Sequence, residues 1–318
     1  MPKILVTGGA GFIGSTVADL FAGAGWDVAV LDDLSSGKRE NVPAGARFYP
    51  CDVRSEAAAE AVRKERPQVL CHHAAQIDVR RSMADPRHDL DVNLGGLLNV
   101  VQAAAETGVE HVLFASSGGA MYGETDRIPT PEDQPPQPVS HYGAAKAASE
   151  LYLGVFRAAH GIPFTALRYG NVYGPRQDPH GEAGVVAIFC GRLLDGEPCT
   201  VYGDGTQTRD YVYVGDVARA NLLAAERRHD GALNVGTGIE TDVNALYAHL
   251  ARAAGVSAPP ERGPARPGEQ RRSCIDPAAA ARALGWRPEV AIGDGLARTF
   301  EWFRSRRGDG DHGGPPPR

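Results

Sequence analysis

The chain has 318 residues, of which 42% are hydrophobic and 23% charged, so it is long enough for one large domain or two cooperating ones with real cores. Its net charge of −6 argues against nucleic acid or an anionic membrane as the main partner, since both require a basic surface. No apolar run approaches about 18 residues, so we expect no membrane span, and a strand-like segment from Lys3 leaves no room for a signal peptide.

Short apolar segments alternate with longer amphipathic segments over the first 170 residues. The predicted strands are Lys3–Thr7, Asp27–Leu31, Arg47–Pro50, Val69–His72, His111–Ala115 and Phe164–Arg168. The predicted helices are Phe12–Ala24, Ser55–Lys64, Asp89–Glu106 and Tyr142–His160. This alternation predicts an α/β fold, in which a parallel sheet is covered by helices on both faces.

The pattern loosens after about residue 170, where Gly- and Pro-rich stretches separate shorter elements. We expect residues 1–170 to form the sheet domain and 171–307 a smaller, interleaved α/β lobe. Segments near 210–240, such as the strand-like Ala232–Val235, are expected to return to the first sheet. Residues 308–318 are rich in Gly and Pro and are predicted to be a disordered tail.

A glycine-rich turn follows the first predicted strand and opens the first predicted helix. Its glycines, Gly8, Gly11 and Gly14, form a G-x-x-G-x-x-G pattern, which permits a tight turn and close approach of the backbone to a pyrophosphate at the helix N-terminus. Asp32 and Asp33 end the second strand, about 18 residues beyond Gly14. A carboxylate there can accept both ribose hydroxyls of adenosine and would repel a 2′-phosphate. The pattern therefore predicts a Rossmann doubly wound sheet that binds NAD rather than NADP.

Tyr142 and Lys146 are spaced i and i+4, on one face of a predicted helix. A phenol has a pKa near 10 and is a poor base at neutral pH, so we expect the lysine ammonium, together with a nicotinamide cation, to lower it. The isolated Y-x-x-x-K pattern is more often a surface pair. Here it follows the fifth strand of a dinucleotide fold, whose end carries Ser116 and Ser117. A hydroxyl there can share the hydroxyl of a substrate with Tyr142.

Further segments in the same order extend from residue 3 to about 305 and make the chain similar to a known family. They include Asp91-Val92-Asn93, the run Arg168–Pro175, the run Tyr202–Gly205, the run Thr208–Val214 and Arg266-Pro267-Gly268-Glu269. With the glycine-rich loop and Y-x-x-x-K, they resemble the extended short-chain dehydrogenases/reductases, and within that group the UDP-glucose/UDP-galactose 4-epimerases. The resemblance implies that Tyr142 takes the proton of a sugar 4-hydroxyl while the C4 hydride passes to tightly held NAD. The 4-keto sugar then turns over and is reduced on its other face.

The resemblance also implies the residues that line the site. Those expected at the cofactor are Gly8, Gly11, Phe12, Ile13, Gly14, Asp32, Asp33, Ser36, Gly37, Asp52, Val53, His73, Ala74, Ala75, Gln76, Asn93, Ser116, Tyr142, Lys146 and Tyr169. Those expected at a UDP-sugar are Ser117, Gly118, Tyr142, Asn171, Gly184, Val185, Val186, Tyr202, Arg209, Arg266, Glu269 and Ser273. Arginines can donate two hydrogen bonds to phosphate oxygens, and Glu269 can accept hydrogen bonds from ribose hydroxyls.

The catalytic hydroxyl is the one departure from the family pattern. Counting back from Tyr122 places the position on Gly118, whereas counting from Tyr142 places it on Ser117. We choose Ser117 as the third catalytic residue beside Tyr142 and Lys146, with Ser116 second. A purely structural role for both serines, as caps of the strand end, stays open.

The sugar is left open by the sequence. A small Ser273 would admit a UDP-N-acetylhexosamine, whereas Arg271 and Arg272 would suit UDP-glucuronate. A nucleotide-sugar 4,6-dehydratase needs an acid and a base after the hydroxyl position, and Gly119-Ala120 supply none. A decarboxylase, a 4-ketoreductase and a non-catalytic NAD-binding scaffold remain as alternatives.

Two further expectations concern assembly and metals. The alanine-rich faces Ala103–Ala105 and Ala144–Ala148, on two long helices, favour a homodimer built on a four-helix bundle. We expect no metal, because His72 and His73 point to opposite faces of a strand. The five cysteines form no C-x-x-C pair and predict a cytoplasmic protein with reduced thiols.

Overall fold

The structure is a computed structural model, and it describes residues 1–179, 184–266, 268 and 270–308. Its strands are β1 (Lys3–Thr7), β2 (Asp27–Leu31), β3 (Arg47–Tyr49), β4 (Val69–His72), β5 (His111–Ser117), β6 (Phe164–Tyr169), β7 (Asn171–Tyr173), β8 (Thr200–Tyr202), β9 (Thr208–Arg209), β10 (Tyr211–Tyr213), β11 (Gly231–Val235), β12 (Thr241–Asp242) and β13 (Glu261–Gly263). Its helices are α1 (Phe12–Gly23), α2 (Glu56–Glu65), α3 (Val79–Ala84), α4 (Pro86–Leu90), α5 (Gly96–Glu106), α6 (Gly118–Met121), α7 (His141–His160), α8 (Val185–Asp195), α9 (Val214–Arg227), α10 (Val243–Ala254), α11 (Ala278–Leu284) and α12 (Ile292–Gly308).

Seven parallel strands form the central sheet, in the order β11-β6-β5-β4-β1-β2-β3. The chain moves outward from β1 through β2 to β3, and then outward on the other side through β4, β5 and β6. The reversal places a crevice at the carboxyl ends of β1 and β4, where ligands of such sheets bind. Thr7 pairs with both Leu31 and His72, so these strand ends lie level at that edge. The predicted α/β fold with a Rossmann sheet is confirmed.

Two apolar layers bury the faces of this sheet. One packs α1, α9 and α11 against side chains such as Val6, Val17 and Val217, all fully buried. The other packs α2, α5 and α7 against side chains such as Leu70 and Leu97. Apolar residues on both faces are the reason that the strands read as near-continuous hydrophobic runs.

The predicted helix Asp89–Glu106 is wrong as a single element. Asp85 caps α4, with its carboxylate accepting from the N–H of His88, and a π-helical turn over Asp91–Gly95 then separates α4 from α5. Asn93 lies in that turn, and its side-chain amide bonds to the backbone of Gln76 and to the carboxylate of Asp89. Turns of this kind occur mostly at functional sites.

Smaller corrections concern element ends. Strand β5 continues two residues beyond its predicted end to Ser117, and β6 one residue to Tyr169, because each keeps pairing with its neighbour. Asp52 precedes α2 without capping it. Ser55 caps the helix, accepting from the N–H of Ala58, while Asp52 pairs with Arg54.

Among the remaining described residues, a smaller lobe contains three two-stranded sheets, β7 with β10, β8 with β13, and β9 with β12. Its core packs α8, α10 and α12 around residues such as Tyr173, Phe189 and Leu296. Strand β7 begins two residues after β6 ends. The lobe is therefore attached directly at the carboxyl edge of the central sheet, beside the crevice.

Candidate active site

The glycine-rich loop adopts a shape that side chains would block. Gly8 has φ +67°, and a Cβ there would lie 2.6 Å from the backbone nitrogen of Ala74. A Cβ on Gly14 would lie 2.2 Å from the carbonyl oxygen of Gly8. Helix α1 begins after Gly11 without a side-chain cap, and its first intrahelical bond runs from Ser15 to Gly11. The N–H groups of the first turn are thus left for an anion, as the diphosphate of NAD requires.

The two aspartates after β2 have different surroundings. Asp32 is buried, and its carboxylate accepts from the N–H groups of Ala10 at 2.9 Å and Leu34 at 2.8 Å. Burial raises its pKa, and these hydrogen bonds oppose the rise. Asp33 is exposed and accepts from the backbone and hydroxyl of Ser35. Asp32 therefore holds the glycine-rich loop in place, while the Asp33 carboxylate faces solvent at the crevice.

A pocket of about 490 Å³ lies beyond the carboxyl end of β3. Its lining residues are Asp52, Arg54, Ser55, Asp91 and Gly95. The neighbouring Val53 is almost fully buried, and its carbonyl accepts from Asn99. The dimensions and the mixed polar lining are suited to an adenine ring.

The three predicted catalytic residues converge at the end of β5. The hydroxyl of Ser117 lies close enough to the phenol of Tyr142 to lower the pKa of that phenol. The Nζ of Lys146 lies 5.7 Å from the centre of the Tyr142 ring and donates to the carbonyl of Ala115 at 2.8 Å. A hydroxyl, a phenol and an ammonium group thus lie within one turn of α7 and one strand end.

Ser116 has a different partner. Its hydroxyl donates to the carboxylate of Glu150 at 2.6 Å, and the same carboxylate receives the guanidinium of Arg168. Both charged side chains are largely buried. Of the two serines, Ser117 is the one whose hydroxyl lowers the pKa of Tyr142. Ser116 belongs to a buried ion-pair cluster beneath the site.

Close packing explains why position 118 is a glycine. Gly118 begins α6, and a Cβ at this position would lie 3.0 and 3.1 Å from two methyl carbons of the buried Ile275. A similar argument applies to Gly170, whose Cβ would lie 2.7 Å from the carbonyl of Asp210. Gly118 therefore lets α6 pack closely against Ile275, and Gly170 lets the link between β6 and β7 approach the backbone of Asp210.

Burial controls the acid–base properties of the pair in the protein alone. It raises the pKa of Tyr142 to about 12, against a lowering contribution from the Ser117 hydroxyl. It lowers the pKa of Lys146 to about 8, while the charges of Asp89 and Glu150 oppose that shift. Lys146 is not among the groups that shift the pKa of Tyr142, so the expected lowering of the phenol pKa by this lysine is not seen in the protein alone. A phenol near neutrality requires the positive charge of the oxidised nicotinamide as well.

Several polar residues that the sequence did not single out support this geometry. The phenol of Tyr169 contacts His73 at 3.1 Å and receives the amide of Asn221, from α9, at 2.8 Å. The buried carboxylate of Asp89 accepts from Gln76 and Asn93, both at 2.9 Å. Neither Asn221 nor Asp89 lies in a recognisable motif; tertiary contact alone brings them there.

The histidines at the end of β4 have hydrogen-bonding roles. His72 shares a hydrogen bond of 2.8 Å with Thr7, and burial lowers the pKa of both His72 and His73 to about 3. Both rings are therefore neutral at physiological pH. Within the described ranges, no group of three histidines, cysteines or acids is placed to hold a metal.

Most of the predicted substrate residues lie in the smaller lobe. Asn171 is exposed at the start of β7, and Gly184 precedes the first turn of α8. The guanidinium of Arg266 stacks over the ring of Tyr202 at 3.9 Å, and Arg209 donates to the carbonyl of Thr208. Two of the predicted substrate residues, Val186 and Ser273, need correction, and Glu269 lies outside the described residues.

Val186 is 1% exposed within the lobe core, so its side chain cannot contact a substrate, although the backbone at the helix start remains available. Ser273 is largely buried, with its N–H bonded to Thr208. Arg272 is paired with Glu240 through two hydrogen bonds, so it is already engaged. Glu269, and the predicted tail beyond residue 308, lie outside the described residues.

A Rossmann sheet with an uncapped phosphate-binding helix, together with a tyrosine–lysine–serine group at the end of β5, defines a dinucleotide-dependent enzyme of the short-chain dehydrogenase/reductase type. The model of the NAD dependent epimerase/dehydratase family matches residues 4–236. The chain belongs to this family, and NAD is its cofactor. No described helix is long and apolar enough to cross a membrane.

Individual relatives match almost the whole chain. UDP-glucose 4-epimerase from Mycolicibacterium smegmatis is 44% identical over 310 residues, 96% of this chain and 99% of that protein. The crystal structure of UDP-glucose 4-epimerase from Thermotoga maritima with UDP-glucose superimposes with a TM-score of 0.94 at 46% identity, covering 96% of this chain and 99% of that one. The Thermus thermophilus UDP-glucose 4-epimerase complex with NAD gives a TM-score of 0.90 at 48% identity, covering 95% and 99%.

Proposed function

We propose that this chain interconverts the C4 epimers of a UDP-hexose of the UDP-glucose/UDP-galactose type, through a transient 4-keto sugar and NAD that stays bound. The observation that carries the proposal is the convergence of the Ser117 hydroxyl, the Tyr142 phenol and the Lys146 ammonium at the end of β5. A hydroxyl placed between those two oxygens can lose its proton to one and be held by the other.

The roles of the side chains follow from their contacts. Tyr142 takes the proton from the sugar 4-hydroxyl and later returns it, and Ser117 holds the oxygen in both directions. Lys146, fixed to the carbonyl of Ala115, holds its positive charge beside the phenol and can bind the nicotinamide ribose. NAD, when bound, supplies the hydride acceptor and donor. Asp33, with its exposed carboxylate, would accept the adenosine ribose hydroxyls.

The smaller lobe would bind the nucleotide part of the substrate. Arg209 and Arg266 would contact phosphate oxygens, and the N–H groups at the start of α8 would offer a further anion site. Asn171, beside Gly119, would face the sugar. By resemblance to the family, Glu269 would accept the uridine ribose hydroxyls.

Similarity to enzymes that act on UDP-glucose supports the choice of sugar. The site is less favourable for a 4,6-dehydratase, because Gly119 and Ala120 at the start of α6 carry no group that transfers a proton. Ser273, on which the expectation of a UDP-N-acetylhexosamine rests, is largely buried beside Thr208 and adds no support for that sugar. Pairing of Arg272 with Glu240 weighs against UDP-glucuronate.

Incubation of the purified protein with UDP-glucose, UDP-N-acetylglucosamine or UDP-glucuronate, without added cofactor, tests the proposal. Proton NMR of the anomeric signals should show the C4 epimer of UDP-glucose, and the Tyr142→Phe variant should lose this activity while it keeps its NAD. If none of the three sugars is epimerised by protein that carries NAD, a decarboxylase, a ketoreductase or a non-catalytic scaffold becomes the better reading.

We further propose a homodimer built on α4 and α7. An exposed apolar stripe follows one face of α7 through Ala144, Ala148, Leu151 and Val155, and Leu90 of α4 lies beside it. Leu151 is 75% and Val155 63% exposed, which is unusual for aliphatic side chains at helix spacing. A second copy of the same face would cover both stripes.

One part of the sequence argument for the dimer is wrong. Ala103 and Ala104 are buried within the chain against α2, because α5 turns that face to the core. The face of α7 therefore carries the proposal. Light scattering at micromolar concentration should give twice the 33.6 kDa chain mass, and Leu151→Glu should reduce it to the monomer mass.

A further inference from the structure

A single arginine connects the smaller lobe to the helix that begins at the phosphate loop. The guanidinium of Arg176 lies 2.7 Å from the carboxylate of Asp19 and donates to the hydroxyl of Ser15 at 3.1 Å. Ser15 is fully buried and directly follows Gly14. Both partners lie on α1, one turn apart, so one side chain binds the first two turns of that helix.

The loop that carries Arg176 lies at one edge of the central sheet. Strand β7 starts two residues after β6, and the loop 174–177 follows β7 immediately. It therefore emerges at the carboxyl edge of the central sheet, where the N-terminus of α1 also lies. Arg176 joins the two sides of the crevice in which a dinucleotide on α1 must lie.

The loop also has an uncommon backbone conformation at Arg176. Arg176 has φ +72°, a left-handed backbone that non-glycine residues seldom adopt and that persists only where the surroundings impose it. The N–H of Gln177 donates to Gly174, and its side-chain amide donates to the carbonyl of Val172. A Cβ on Gly174 would lie 2.5 Å from Val214. These contacts orient the side chain of Arg176 toward α1.

We propose that Arg176 is a positioning residue for cofactor retention: it fastens the loop after β7 to α1 and thereby slows the release of NAD. The proposal rests on NAD binding by α1 and is independent of which sugar is the substrate. Arg176 is 27% and Asp19 43% exposed, and ion pairs of that exposure add little to folding stability. Loss of the contact should therefore appear in NAD release and not in the unfolding temperature.

NAD retention in the absence of any sugar is the decisive measurement. Protein purified with its NAD is mixed with an enzyme that consumes free NAD, and the NAD remaining on the protein is followed over time. Arg176→Ala should release NAD about tenfold faster than the parent chain, because changes in affinity within one site appear mostly in the dissociation rate. Arg176→Lys should be intermediate, since one ammonium group is a poorer bridge between a carboxylate and a hydroxyl than a guanidinium.

Arg219→Ala is the matched control. Arg219 is also 27% exposed and also binds two side chains, through the carboxylates of Asp216 and Glu289, but it contacts neither α1 nor the loop 174–177 in these ion pairs. It should release NAD at the parental rate, and both alanine variants should melt close to the parent chain.

An unchanged release rate in Arg176→Ala would overturn the proposal, as would equally fast release from Arg219→Ala. If Arg176→Ala does not fold, Asp19→Asn decides in its place, because Asp19 is half-exposed and its loss weakens the same contact from the other side. Release from Asp19→Asn at the parental rate would then be the contradicting result. A chain that releases NAD as predicted yet epimerises none of the sugars would leave this inference standing and count against the proposed reaction alone.

Discussion

Loss of the buried ion pair beneath the active site should lower the free energy of unfolding more than loss of an exposed pair. Glu150 and Arg168 have side chains that are 11% and 9% exposed, and the carboxylate receives two nitrogens of the guanidinium as well as the hydroxyl of Ser116. Arg168 also donates to the phenol of Tyr122 and to the carbonyl of Glu132. We expect Glu150→Ala to leave this guanidinium buried and without its counter-charge.

The magnitude follows from that geometry. Breaking a buried ion pair by removal of one partner costs about 3–5 kcal/mol, because a desolvated charge remains. The two bonds from Arg168 to Tyr122 and Glu132 are kept, so we expect the lower part of that range, about 3 kcal/mol, as the fall in the free energy of unfolding. Equilibrium unfolding in urea, monitored by circular dichroism, measures it.

An exposed pair provides the control. Arg127 and Asp133 are 51% and 75% exposed, so Asp133→Ala should change the free energy of unfolding by less than about 1 kcal/mol. Replacement of both buried partners by apolar residues, Glu150→Leu with Arg168→Met, should recover part of the loss, since no unpaired charge is left. The reasoning is refuted if Glu150→Ala and Asp133→Ala are equally stable, or if the double variant is less stable than the single one.

Three further predictions follow from other contacts. Ser117→Ala should lower kcat by about 10- to 100-fold, whereas Ser116→Ala should mainly lower stability; equal kcat losses would contradict the assignment of the hydroxyl. Gly118→Ala should cost about 1–3 kcal/mol through its contact with Ile275, and thermal unfolding of the variant checks this. The pKa of Glu65 is lowered to about 2, against its burial, by hydrogen bonds from Arg47 and other donors. Its stabilising contribution should therefore be complete above the unfolded pKa near 4.5 and be lost as pH falls toward about 2. Glu65→Gln should show a flatter dependence of unfolding free energy on pH over that interval, and an unchanged slope would contradict it.

Sequence alone determined the parts of this protein that depend on local physics. Strand and helix alternation predicted the parallel sheet, because segments buried on both faces must be apolar throughout. The glycine pattern at Gly8–Gly14 predicted the phosphate loop, since only residues without a Cβ fit its close backbone contacts. The i and i+4 spacing of Tyr142 and Lys146 placed both on one helix face.

Only the tertiary structure decided matters in which distant segments meet. Ser116 and Ser117 are adjacent and chemically identical, and the choice between them depends on how far β5 continues and on where α7 presents Tyr142 and Glu150. The break before α5 likewise arises because Asn93 bonds to Gln76, 17 residues away. The contact of Arg176 with Ser15 spans 161 residues and has no local signature. Such contacts are absent from local patterns because their energy exists only once the chain has brought both partners together.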